Sequence, residues 1–430
     1  MINHMKKRLS ILLCLCLLLA MVPAAMADET ITISYYDWQL TESPAGDIIR
    51  KQLARYEELH PNVKIELQAV PTAERNDKFM AMVLGGAAPD IVHLNEGGMA
   101  TFMPMNCLEP LNTYLEADAD LSEQLIPAMV DMASLDGTVF AIPHFASTHA
   151  LLYNADHFRA VGLDPDNPPT TWAELLDTAK KLTLDTNGDG KIDQWGMGIM
   201  GAKVVSINYR YWWLLWGAGG DILNEAQTES LLGSEASEKA IAFYTDLYLK
   251  HKVVPPGVTD VDYTTVINDF TAGKTSMTVD GPWQLASIRE GNPDMDLRAA
   301  VLPVMEEGYP KATTGGGGFL GVSKTSAHKD IAWDIIAFLS NAENQWEYAS
   351  EGSFLPCRKD VNDRVLKEGD PLMGQFAQAL EFTRLTPAVP QMSGIANLLA
   401  EEIQYVLIGE KTPHEAAESL GERATALLQE

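Results

Sequence analysis

Trp283 stands directly after the turn Asp280-Gly281-Pro282, which closes the short run Ser276 to Val279. An indole at a strand end offers a flat apolar platform, suited to the C–H face of a sugar whose rim is polar. Asp37, Trp38 and Gln39 follow a stretch in which Ile31, Ile33 and Tyr35 alternate with polar residues. A carboxylate or amide there can bond two adjacent hydroxyls. Asn95 and Glu96, after Pro89-Asp90-Ile91-Val92-His93-Leu94, have the same standing. These residue types point to non-covalent capture of a polyhydroxylated ligand.

Other motifs compete with that reading. Tyr209 to Trp216 is dense in aromatics, and such a stripe at helical spacing serves a core as readily as a ligand platform. Gly315 to Gly318 lacks the Lys-Ser/Thr of a P-loop and the spacing of a dinucleotide loop. Gly316 and Gly317 read better as a crowded wall where backbone approaches ligand. Arg358, after Leu355-Pro356, is placed to reach the same site. Asp185, Asn187, Asp189, Lys191 (through its carbonyl) and Asp193 fall at the ligand positions of an EF-hand loop, with Gly190 at the turn. Gly196 stands where the bidentate Glu should be. The donor set suits a structural Ca²⁺, or simply an Asx-rich turn.

No HExxH, GxSxG, P-loop or Cys/His cluster is present. An enzyme would therefore have to work with two acids such as Glu96 and Asp280, opposed at about 5–9 Å. No cofactor is required.

Strand-like and helix-like segments alternate and would position these groups. Ile31–Tyr35, Val63–Leu67 and Pro89–Leu94 read as strands. Ser43-Pro44 reads as an N-cap and first helical residue, Thr72–Leu84 as a helix, and Thr171-Trp172-Ala173-Glu174 and Thr412-Pro413-His414-Glu415 as capped helix starts. This alternation predicts an α/β fold with mainly parallel sheet. The chain has 430 residues and a formal charge of −28. Such acidity opposes nucleic-acid binding.

Met1 to Ala27 reads as a signal peptide: Lys6, Lys7 and Arg8, an apolar run from Leu9, then Ala25-Met26-Ala27. Cleavage after Ala27 is expected, with export to the periplasm or cell surface. Cys14 and Cys16 lie inside the apolar run, so no lipobox is read there. Removing the three basic residues makes the net charge still more negative. Roughly 400 residues remain, which suits two domains. Cys107 and Cys357 are then the cysteines left, and their pairing stays open.

Five blocks occur in order: Gly85-Gly86-Ala87-Ala88-Pro89-Asp90-Ile91-Val92, Gly137-Thr138-Val139-Phe140-Ala141-Ile142-Pro143, Leu151-Leu152-Tyr153-Asn154, Pro169-Thr170-Thr171-Trp172-Ala173-Glu174-Leu175, and the run from Gly273 to Trp283. Together they resemble the family 1 extracellular solute-binding proteins of carbohydrate ABC transporters, the group that includes maltose-binding protein. The resemblance implies a type II periplasmic-binding-protein fold, two α/β lobes joined by a three-crossing hinge. The N-terminal lobe would hold 28–146 plus 301–340, and the C-terminal lobe 147–300 plus 341–430. The crossings would lie near 143–147, 300–304 and 340–344, which brings Ser147 to the cleft. It also implies sugar stacking on Trp283, polar contacts from the Asp37–Gln39 loop, cleft positions for Tyr209 and Trp213, and delivery by a monomer to ABC permease subunits. A non-sugar solute is the alternative. A phosphate would want an Arg/Lys cluster, and a polyamine would want the acids Asp37, Glu96 and Asp280 beside the tryptophans.

Overall fold

The computed structural model describes residues 30–387 and 389–429. The expected signal peptide and its cleavage site lie outside them. The strands that frame the site are, in chain order, β1 (Ile31–Asp37), β2 (Val63–Ala69), β3 (Ile91–Asn95), β4 (Ala141–Thr148) and β5 (Ala150–Asn154). They continue with β6 (Met277–Asp280), β7 (Leu297–Ala300), β8 (Thr313–Val322), β9 (Leu355–Pro356) and β10 (Thr383–Arg384). One sheet has the order β9-β4-β8-β3-β1-β2, with β10 alongside β8; a second has the order β6-β5-β7. The first sheet packs into one buried core, and the second sheet lies between two: Leu152, Leu297 and Ala299 join the first core, while Leu151, Tyr153, Met277 and Val279 join the other.

The parallel expectation holds for β2-β1-β3 and for the short pair of β8 with β10. β8 runs antiparallel to both β3 and β4, and the second sheet is antiparallel throughout. The chain reaches these strands by crossing between lobes and not through helical returns. β4 ends at Thr148 in the first sheet and β5 begins at Ala150 in the second, so His149 alone makes the first crossing. The second crossing runs from β7 to β8 through 301–312.

The third crossing differs from expectation. Helices Ala342–Gly352 and Lys359–Glu368 and strand β9 stay with the first lobe: Tyr348, Ala349, Leu355 and Val365 are buried in its core. The chain returns to the second lobe after 370, where Ile395, Leu399 and Ile403 join that core. The boundary therefore falls after 370 and not at 340; a two-residue strand such as β9 leaves no pattern in the sequence.

Helix starts follow local chemistry. Thr171 and Glu174 form a reciprocal capping box, as do Thr412 and Glu415. Helix α1 (Ala45–Leu59) buries Ile48, Ile49, Leu53 and Tyr56, and begins after Pro44 and not at it. Residues 72–74 form a 3₁₀ turn before α2 (Arg75–Leu84). Asn95 ends β3 and caps α3 (Glu96–Phe102), its Oδ1 accepting from Gly98 N–H at 3.0 Å.

Candidate functional site

Between the lobes lies a cleft of about 490 Å³. Trp38, Gln39, Asn95, Glu96, Ser147, Tyr209, Trp283 and Gly317, all singled out in the sequence, line it. The first lobe supplies Trp38 from the end of β1 and Glu96 from the start of α3. The second supplies Trp283, after β6, and Tyr209 from the first turn of α4 (Asn208–Gly217).

Trp38 is held from behind. Its ring stacks on His93 at 4.1 Å and 27°, and the Arg75 guanidinium lies 5.2 Å from its centroid. Trp283 donates from Nε1 to Tyr263 Oη at 2.8 Å, and Arg210 lies 4.5 Å over the Tyr263 ring. Desolvation by burial, reinforced by Asp280, pushes the Tyr263 hydroxyl up to about 12, so it stays a neutral donor and acceptor. Glu96 spans the lobes: its Oε1 accepts from Tyr209 Oη at 3.0 Å. The Glu96 charge, followed by burial, raises the Tyr209 pKa, so that phenol keeps its proton.

Several expected ligand contacts sit elsewhere. Asp37 is fully buried behind Trp38, accepting from Tyr35 Oη at 2.9 Å and Gln39 N–H at 2.7 Å, with His93 Nδ1 at 2.8 Å. Asp280 is fully buried and ion-paired with Arg210, which itself lines the cleft. Burial raises its carboxyl pKa and Arg210 opposes the shift. Trp213 lies one turn deeper in α4, where it donates to Arg210 O at 2.8 Å and packs edge-on against Trp172. α4 enters the core after its first turn, so only that turn reaches the cleft. Arg358 is 1% exposed and joins Asp120 at 3.0 Å to Asp360 at 2.8 Å, a clamp within the first lobe. Gly316 is crowded by Glu96: a Cβ there would stand 2.8 Å from Oε2.

Glu42, Arg75, His149 and Tyr263 also line the cleft, and no motif singles them out. Arg75 opens a helix that only the fold turns toward Trp38. For His149 a signal existed, its place beside Ser147 at the expected first crossing. Desolvation by burial, followed by the charge of Arg210, lowers the His149 imidazole to about 3.

In the 185–193 loop the acids are already engaged. Asp185 accepts from the N–H groups of Gly188, Asp189 and Gly190, and Asp193 from Thr186 and Asn187. Among the described residues, no group of three or more His, Cys, Asp or Glu is arranged to hold a metal. Cys107 and Cys357 are free thiols. No helix among the described residues is long and apolar enough to cross a membrane.

Two lobes thus share one cleft, with an aromatic residue from each, Trp38 and Trp283, in its lining. The profile described as "Bacterial extracellular solute-binding protein" matches residues 41–346. The chain belongs to that family. This solute-binding protein is similar in structure to an ABC transporter solute-binding protein of Thermotoga lettingae bound with alpha-D-tagatose. The TM-score is 0.81 at 26% identity, covering 93% of this chain and 100% of that one. It is also similar to maltose-bound MalE3 of T. maritima, with TM-score 0.79 and 25% identity over 92% of this chain and 100% of that one. Among curated relatives, the sn-glycerol-3-phosphate-binding periplasmic protein UgpB of Pectobacterium atrosepticum is 26% identical, covering 91% of this chain and 90% of the relative.

Proposed function

We propose that this solute-binding protein is the exported substrate-binding component of an ABC importer, and that it captures a short saccharide in the interlobe cleft and delivers it, as a monomer, to the permease. One observation carries the reading: aromatic platforms from both lobes, Trp38 and Trp283, line one cleft that mixes cations and anions. Arg75 and Arg210 stand against Glu42 and Glu96, and Asp280, buried behind Arg210, brings the set to one surplus anion. Hydroxyls both donate and accept, so a neutral polyol suits a mixed set of charged partners. The cleft volume falls within the roughly 300–1,000 Å³ usual for small-molecule sites.

The charges separate the alternatives unequally. A phosphate such as that bound by the UgpB relatives wants surplus cations, which this set does not offer; a polyamine wants surplus anions, of which there is one. The two-acid enzyme reading loses one of its acids, since Asp280 is committed to Arg210. A thermal-shift screen tests this, because a ligand that binds the folded state raises the melting temperature. Maltose, maltotriose and D-tagatose form the saccharide arm; glycerol 3-phosphate and spermidine form the others. A shift in the saccharide arm is expected. A shift confined to glycerol 3-phosphate or spermidine would overturn the substrate class, and cleavage of an oligosaccharide by the purified protein would overturn the binding-only reading.

A further inference from the structure

We infer that His149 is a specificity-determining contact: its Nε2 accepts a hydrogen bond from a hydroxyl of the bound solute. The inference rests on the cleft reading above and adds a residue to it. Nδ1 lies 2.9 Å from the backbone oxygen of Thr314. A carbonyl can only accept, so Nδ1 carries the ring proton. In a neutral imidazole the other nitrogen is then a bare acceptor.

That acceptor has no protein partner. His149 is 3% exposed, and its Nε2 is buried with no hydrogen-bonding group of the described residues in reach. Buried polar atoms are nearly always satisfied, so an orphan in a binding site marks a place for a ligand atom. The ring lines the cleft between two other lining residues. Tyr209 lies parallel at 6.1 Å and 12°, and Trp283 stands edge-on at 5.2 Å and 83°. With Nδ1 used on β8, Nε2 is the polar atom this ring has left to offer. The low pKa keeps it an acceptor at neutral pH.

The consequence is selective. A solute with a donor at this point satisfies Nε2. One with an ether, a deoxy carbon or an anionic oxygen there leaves it orphaned, and sites built to bond a hydroxyl discriminate strongly against its loss.

Histidine-selective ¹⁵N NMR of the whole protein tests the assignment. In the free protein at pH 7, the His149 Nδ1 should be protonated and Nε2 bare; a protonated Nε2 overturns the inference whatever the ligand. On saturation with a saccharide that raises the melting temperature, the Nε2 resonance should move toward the hydrogen-bonded position while Nδ1 stays protonated. His149→Asn keeps an amide donor for Thr314 O but removes the Nε2 position. It should weaken that saccharide roughly 10- to 100-fold, with an unchanged far-UV spectrum. A stabilising saccharide that leaves Nε2 unmoved, or binds H149N as tightly as wild type, sinks the role of His149 and spares the sugar reading. Movement of Nε2 with glycerol 3-phosphate alone does the reverse.

Discussion

Lowering the pH from 7 to 5 should destabilise this protein through two imidazoles at its centre. Burial, with His93 as a neighbour, holds the His144 pKa well below its ordinary value; burial and then Arg210 hold His149 at about 3. His149 stays neutral in the folded chain across this interval, and His144 is shifted in the same direction. In the unfolded chain each takes up a proton near 6.5. Stability from such a group is complete above the unfolded value and drains away as the pH falls toward the folded one. Integrating between pH 7 and 5 gives about 2 kcal/mol for His149, from unfolded protonation alone. Carboxylates such as Glu401, held at about 2 by Lys203 and Arg423, release their share at lower pH. His414, raised by Glu238, acts in the opposite sense, so the wild-type total is not the readout. The comparison is His149→Gln against wild type, by denaturant unfolding at both pH values. The variant should lose about 2 kcal/mol less over the interval. Equal losses in the two proteins would refute the argument that His149 is buried and neutral.

Four further outcomes are expected. Trp283→Ala should weaken saccharide binding roughly tenfold or more by calorimetry, and Trp283→Phe less, since the platform survives without the bond to Tyr263; equal affinities would remove Trp283 from the site. Gly318→Ala should cost about 1–3 kcal/mol in denaturant melts, because its Cβ would stand 2.2 Å from both His93 Nε2 and Phe145 Cε1. Gly374→Ala, with nothing within 4 Å, should be neutral or stabilising. Calorimetric titration with Ca²⁺ should show no saturable micromolar binding, because Gly196 supplies no carboxylate and Asp185 and Asp193 already accept loop donors; a saturating isotherm abolished in D185N would establish the metal site.

Local signals in the sequence carried the parts of this structure that neighbours in the chain decide. The alternation at Ile31–Tyr35, the capping boxes at Thr171 and Thr412, and Trp283 after its Gly-Pro turn all became what their spacing implied. Choices made by distant partners were not legible. Asp37, Trp38 and Gln39 are consecutive, yet His93 and Tyr35 draw Asp37 into the core while Trp38 and Gln39 line the cleft. Tyr209 and Trp213 share a helical face, and periodicity treats them alike. The depth at which α4 enters its lobe separates them. Arg358 was claimed by Asp120 and Asp360, the first of them 238 positions away in sequence. The antiparallel β8 and the late third crossing likewise depend on how the lobes are threaded.

The bond from Tyr209 to Glu96 has a cost for a receptor. It joins the lobes using only the protein's own groups, so it favours the closed shape whether or not cargo is present. A hydrogen bond with a net worth of about 1 kcal/mol multiplies the empty, closed population roughly fivefold. The solute then has less work to do in closing the lobes, and apparent affinity rises. The same shift blurs the difference between a loaded carrier and an empty one, which a downstream partner reading shape would need. One such bond tunes sensitivity against false delivery, and adding more would trade discrimination for tighter capture.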